Sequence, residues 1–400
     1  MGKTTKEYSR FFLLVLLTWS LGTSVAEAAS ASSSSGIAIM EERGYPLPSA
    51  PLCAAEVALR RAAVLAAPQG YKTVGANCEY KTIGAALAAP DDGRRIICVM
   101  DAVHREAGIR VAGIVTIIGF GAGETVIEAA SSVEEASDRV LEVAAGGRAY
   151  VRGLTLRCGK ITTVPRRGGG VANSGELLME DCAVVENRAT YGVGVWTEGK
   201  LTLRRCVIAR NKGIKRPPAD QYSGVDCGGG GAGLRIEKGG LALVENSLIA
   251  FNEAVSAGGG LHVSCEGRAR LVDSVLFGNV AAGRGGGVDL AGGILELELC
   301  SIAGNRAREK GQALFNRGKL SLRGCLLAAE AGGAYFLGED KGGEFGIGEL
   351  LANEANYCQS GPLAGAAGGA PGILRLSEAR PGMWNLESEK GSPAAGFGRP

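Results

Sequence analysis

Aromatic residues make up only 5% of this 400-residue chain, although 46% of it is hydrophobic. Large rings ordinarily dominate the core of a globule. A core here has to be built from aliphatics, Ala and Gly, which suits an elongated solenoid better. Histidine is scarcer still, with two in the whole chain. Without a CxxC pair or an HxxxH there is no ligand set for a structural zinc, and neither metal nor cofactor is called for. Lys plus Arg number 43 against 41 Asp plus Glu. No basic block stands out, so the electrostatic footprint of a nucleic-acid partner is missing. The absence of Asn-x-Ser/Thr excludes N-glycosylation.

Long apolar runs are confined to the start. Lys3, Lys6 and Arg10, the segment FFLLVLLTWSLGTSV and the small-residue site Ala26-Glu27-Ala28 read as a secretory signal over residues 1–28. An uncleaved anchor is the alternative, but about 15 residues are short for a span. The expected product is therefore secreted or at the cell surface, with no stable membrane span after cleavage. Residues 29–70 combine an Ala-, Ser- and Pro-rich stretch with a helix over 53–67, and TIGAALAA at 82–89 predicts a shorter one. Both are expected to plug the open end of a solenoid.

Between residues 168 and 330 one pattern recurs six times: a glycine run, an apolar pair, a turn, then Cys or Ser, an aliphatic residue and usually Asn. Cys182, Cys206, Ser247, Ser274, Cys300 and Cys325 form one column. Five residues later come Asn187, Asn211, Asn252, Asn279, Asn305 and then Glu330. A period of about 24 to 27 residues of short β-type runs is too short for propeller blades and lacks the helical pattern of α-solenoids. It fits one turn of a parallel β-helix. Leu201, Leu203, Cys206, Ile208 and Asn211 should face inward, and Thr202, Arg204, Val207 and Ala209 outward. Equivalent residues would stack about 4.8 Å apart, and the Asn side chains would form a hydrogen-bonded ladder. The fold expected is all-β: a single-stranded right-handed parallel β-helix over 71–360 with an N-terminal helical cap, and a C-terminal cap or tail over 361–400.

Eleven cysteines in an exported chain raise the question of disulfides. Stacked on successive coils, Cys182 with Cys206 and Cys300 with Cys325 are expected to remain thiols, because parallel side chains rarely meet disulfide geometry. Cys53, Cys78, Cys98, Cys227, Cys265 and Cys358 are placed in caps or loops as the better candidates, with connectivity open.

Aligning the copies exposes a variable column: Ala172, Trp196, Arg235, His262, Asp289 and Phe315. Its apolar flanks predict that it points outward. Arg235, His262 and Asp289 have the parts for chemistry on an acidic sugar: a cation for a uronate, an acid–base group, and a carboxylate to orient it. Trp196 and Phe315 could stack on rings, and Glu198 and Glu237 lie on the same face. The plain alternative is a set of solvated strand positions. An insertion of roughly 15 residues between Asn211 and Asn252 adds Lys215, Arg216 and Asp226. It either walls a groove or is a surface excursion.

The run TIGAALAAPDDGRRIICVMDAVHREAGIRVAGIVTIIGFGAGETVIEA resembles the opening of the pectin-lyase-like right-handed β-helix superfamily. The GGG-V/L and S/C-x-I-x-x-N repeats are similar to those of polymorphic outer-membrane proteins and of secreted β-helix proteins with a choice-of-anchor type of ending. NYCQSGPLAGAAGG with GSPAAGFG resembles that ending, although its Asp is absent. The resemblance implies the fold and leaves activity open, since lyases, hydrolases, epimerases, adhesins and inert stalks share it. The NTD, GHG and RIK boxes of polygalacturonases, the WxDH of pectate lyases and the YGFDPH-like box of alginate epimerases are not found. Three functions stand after this reading. The first is a non-catalytic β-helix binding or displaying toward a polysaccharide or cell-surface glycan. The second is a lyase or epimerase on an acidic glycan using Arg235, His262 and Asp289. The third is a purely structural spacer.

Overall fold

The computed structural model describes residues 54–66, 70–215 and 230–329 in full, and the backbone of strands at 335–337, 349–354, 357–358, 374–380 and 383–388. Parallel sheets of nine, eleven and ten strands, with a fourth of five short strands, stack into a right-handed solenoid of about nine turns. One coil visits them in a fixed order. Val195–Thr197 lies in the first sheet, Lys200–Arg204 in the second, Val207–Ala209 in the third and Lys212–Gly213 in the fourth.

Alternation within these strands fills the interior. Val195, Leu201, Leu203, Cys206 and Ile208 all enter one continuous core with their equivalents from neighbouring coils. Each coil turns through left-handed residues at the same places. Asp181, Arg205, Asn246, Asp273 and Leu299 precede the Cys/Ser column, and Glu186, Arg210 and Phe251 precede the Asn column. Side chains are tolerated at both corners. At a third corner, before the first sheet, they are not: a Cβ on Gly258 (φ +65°) would lie 2.6 Å from the Leu261 carbonyl oxygen. Gly239 is left-handed too (φ +81°), but its Cβ would meet open space. Gly258→Ala is therefore expected to cost about 3 kcal/mol or more and Gly239→Ala about 1, which urea titration of the two variants resolves.

The Asn column forms the expected ladder. Nδ2 of Asn187, Asn211, Asn252 and Asn279 each donates to Oδ1 of the next Asn at 2.9–3.0 Å. The same oxygens accept the backbone N–H of the preceding Asn, and each Nδ2 also reaches a carbonyl of the coil before. Every amide valence of Asn252 is thus used. Cys and Ser interchange in their own column because both donate to the carbonyl two residues earlier: Cys206 Sγ to Arg204 at 3.3 Å, and Ser247 Oγ to Glu245 at 2.8 Å. Cys182, Cys206, Cys300 and Cys325 are buried thiols. Burial pushes the Cys182 thiol up to about 12, which leaves it unreactive.

Three expectations need correction. Only the helix Ile83–Ala88 plugs the core, through Ile83 and Ala86. Its N-terminus is held by Thr82 and by Glu106, whose oxygens accept from Ile83 N and Gly84 N at 2.6 and 2.7 Å. The helix Ala54–Ala66 packs instead with Val57 and Val64 on Tyr71, Cys98 and Phe120. Cys98 lies on the other side of its strand from core-facing Ile97 and Val99, so this helix covers a flank. Second, Val207 and Ala209 do face outward but are wholly buried. With Val185, Leu248, Ala250, Val275 and Phe277 they form an apolar outer face on the third sheet. The antiparallel hairpin Leu374–Arg380/Met383–Ser388 reaches this face at Val275–Phe277. Third, Cys98 is in a strand and fully buried, not in a cap or loop, and Cys78, Cys98 and Cys265 are unbridged. The signal at 1–28, Cys53, Cys227 and the Cys358 side chain lie outside the described residues.

Candidate functional site: a buried polar column

The first sheet carries the variable column in unbroken register. Ala172 pairs with Trp196, Trp196 with Arg235, Arg235 with His262, His262 with Asp289, and Asp289 with Phe315. The flanking Leu234, Ile236, Leu261, Val263, Val288 and Leu290 face the core, so the column turns away from it, as its pattern required. It is nevertheless not solvated. Relative exposure is 3% at Trp196, 4% at Arg235, 0% at His262 and Asp289 and 6% at Phe315.

The cause is the glycine corner. Four residues before each column position the chain folds back closely enough that a Cβ on Gly192, Gly231 or Gly258 would lie 2.6–2.9 Å from the Cβ of Trp196, Arg235 or His262. Gly230 sits over the imidazole in the same way, its Cβ position 3.3 Å from Nδ1. The loop backbone lies on the column as a lid of bare peptide. Only glycine lets it approach so near.

Beneath that cover the charges close on one another. Arg235 Nε donates to Glu237 Oε1 at 2.6 Å, Trp196 Nε1 donates to the same oxygen at 3.3 Å, and Ser264 Oγ donates to Oε2 at 2.9 Å. Burial works to raise the Glu237 carboxyl, but Arg235, Ser264 and Trp196 outweigh it and hold the group at about 2. Asp289 Oδ1 accepts from Arg284 Nε at 3.0 Å. Its Oδ2 lies 2.8 Å from His262 Nδ1. That approach is out of line for a hydrogen bond, and neither imidazole nitrogen has a hydrogen-bond partner. Burial, and then the Arg235 charge, lower the His262 pKa, so the ring is neutral at pH 7. Burial opposes ionisation of Asp289 too. The neighbouring His262, and then the ion pair with Arg284, overcome it and keep this carboxyl below its ordinary range.

The aromatic faces are also taken. The Arg167 guanidinium lies 4.4 Å from the Trp196 ring centroid, and Arg284 lies 4.9 Å from that of Phe315. Tyr191 covers Arg235 at 5.3 Å. Glu198 is exposed at the rim of this cluster, held by Ser174 Oγ at 2.7 Å and within 3.8 Å of Arg167. Lys215 is exposed, while Arg216 and Asp226 lie outside the described residues. Arg167, Tyr191, Ser264 and Arg284 were not singled out from sequence. Arg167 and Arg284 shared a signal, each being an arginine set directly before a GGG run.

Chemically the column offers little to a substrate. Asp289 and Glu237 are both held ionised, whereas a glycosidase pair needs one carboxyl protonated. The imidazole could accept a proton only from a group that reaches it, and it is fully covered. Among the described residues no cluster of His, Cys, Asp and Glu could hold a metal ion, and no helix is long and apolar enough to cross a membrane. Comparison with protein-family models and with curated proteins gives no match.

Proposed function

We propose that this chain is a non-catalytic β-solenoid of the cell exterior, of the pectin-lyase-like kind, that binds or displays toward polysaccharide. The observation that carries the reading is the closure of the Arg235–His262–Asp289 column. Each charge is spent on another residue of the chain, each aromatic ring is buried with an arginine stacked on it, and the imidazole is out of reach. These groups rigidify the first sheet and leave the outer surface to make contacts. The apolar start of the chain supports export.

The test joins turnover to retention. Purified protein is incubated with polyuronates while absorbance near 235 nm is followed for unsaturated ends, and is run in parallel through gels containing acidic or neutral glycans. Retention without turnover is expected. Turnover that disappears in His262→Ala and Arg235→Ala proteins with intact cooperative melting would show a lyase or epimerase instead. No turnover and no retention on any glycan would leave a structural spacer.

A further inference from the structure

Cross-strand charge pairing follows one rule over almost the whole solenoid. Glu176 stands between Arg148 and Lys200, Glu180 between Arg152 and Arg204, Arg204 beside Glu245, Arg270 beside Glu296, Glu298 beside Arg323, and Arg110 beside Glu142. Glu128 lies between Arg105 and Arg157 and bonds both at 2.7 and 2.8 Å. Among the described residues, facing pairs of charged side chains are of opposite sign with one exception: Lys160 faces Arg188, and Arg188 faces Lys212. Like charges directly opposite destabilise a sheet. Arg188, at the centre, has no carboxylate partner among the described residues. Lys160 Nζ donates to the carbonyl oxygen of Glu134 at 2.8 Å, and Lys212 pairs with Glu253 at 2.7 Å with both side chains about half exposed.

A cavity of about 380 Å³ opens beside this run. Arg157, Arg188 and Arg210 line it from three successive coils, and Ser131 and Ser132 line it from an overhanging loop. The loop is held by contact between Ser131 Oγ and the Glu135 carboxylate, and by Glu135 N–H donating to Ser132 Oγ. Glu134 and Glu186 complete the walls. Repulsion between stacked cations is tolerated here and nowhere else described, next to a recess that an anion could enter.

We infer that the Lys160–Arg188–Lys212 run and the adjoining cavity form a binding site for a glycan bearing carboxylate or sulfate groups. This rests on the polysaccharide reading above and gives it a place and a charge. Anionic groups would lie along the run at the coil spacing of about 4.8 Å and relieve its repulsion. Sugar hydroxyls would donate to the carboxylates of Glu134 and Glu186, beside the cations that take the anionic groups. No aromatic side chain lines the cavity for a base to stack on, which disfavours single-stranded nucleic acid. The site is separate from the closed column of the first sheet.

Binding of the full-length chain to polygalacturonate, a sulfated galactan, dextran and a single-stranded oligonucleotide tests this. Polygalacturonate or the sulfated galactan is expected to bind, with affinity falling as salt rises, and the tighter of the two identifies the anionic group. Arg188→Glu should weaken that binding about tenfold or more, while Arg268→Glu, the same charge change on the exposed outer face of the second sheet, should leave it unchanged. In low salt Arg188→Ala should melt above the wild type and lose the stabilisation that the anionic glycan confers. Equal binding by Arg188→Glu and wild type overturns the site and spares the polysaccharide reading. Failure of the wild type to bind any glycan overturns both, and oligonucleotide binding lost in Arg188→Glu reassigns the site to nucleic acid.

Discussion

Replacing Asn252 with Leu is expected to lower unfolding free energy by at least about 3 kcal/mol. Leu has the branching and the side-chain heavy-atom count of Asn but no hydrogen-bonding group, so the loss comes chiefly from hydrogen bonding. The Asn252 side chain satisfies the N–H and the amide of Asn211, the carbonyl of Ile208 and one bond to Asn279. Its removal strands three groups at a fully buried position, at about 1–3 kcal/mol for each group left unpaired. Relaxation of the coil recovers part of this. The comparison is Arg204→Ala. That side chain pairs with Glu245 at 2.7 Å, but 47% of it is exposed, and a surface pair contributes about 0–1 kcal/mol. Urea melts of the two proteins should differ by several-fold in their shift. Similar shifts would mean that the ladder does not bear the stability assigned to it.

The second large effect is acid sensitivity arising in the polar column. His262 is neutral when folded, with a pKa below its ordinary value, so the unfolded chain binds a proton that the native state does not. Stability is then full above about pH 6.5 and falls as pH drops below it, by up to about 1.4 kcal/mol per pH unit until the folded value is reached. Glu237, held at about 2, and Asp289 act in the same direction lower down. Their contribution is present above about pH 4.5 and is lost as pH falls toward 2. His262→Leu removes a buried imidazole that makes no hydrogen bond, so the variant should fold and lose only the upper step. Stability measured by urea titration between pH 8 and 5 decides the matter. An imidazolium paired with Asp289 would instead make the wild type more stable as pH falls through 6.5.

The ladder and the coil order were legible because they depend on counting. A residue type returning at a fixed interval needs no knowledge of the third dimension to be stacked on itself, and Trp196, Arg235, His262, Asp289 and Phe315 met in the order their spacing implied. Burial was harder to read. Whether an outward residue is wet depends on what folds over it, and the cover here is glycine backbone at Gly230, Gly231 and Gly258, which has no side chain to announce a contact. The third sheet shows the other side of this. Val207, Ala209, Leu248 and Ala250 are apolar on the face that alternation assigns to solvent, and that was itself a sign of a covered surface. The Ala54–Ala66 helix was recognisable as a helix, but its seat on a flank turns on Phe120, far along the chain.

The alternating charges have a consequence for how the chain finds its own order. The apolar frame is almost the same in each coil, so a core made of Leu, Val and Ile cannot tell its proper neighbour from the coil after next, and repetitive chains are prone to such errors. Sign can. Arg148 meets Glu176 in the correct stack, and skipping a coil would set it against Lys200. The outer ion pairs, weak as each one is, act as a parity check along the solenoid, rejecting omitted coils while the strands are still being laid down.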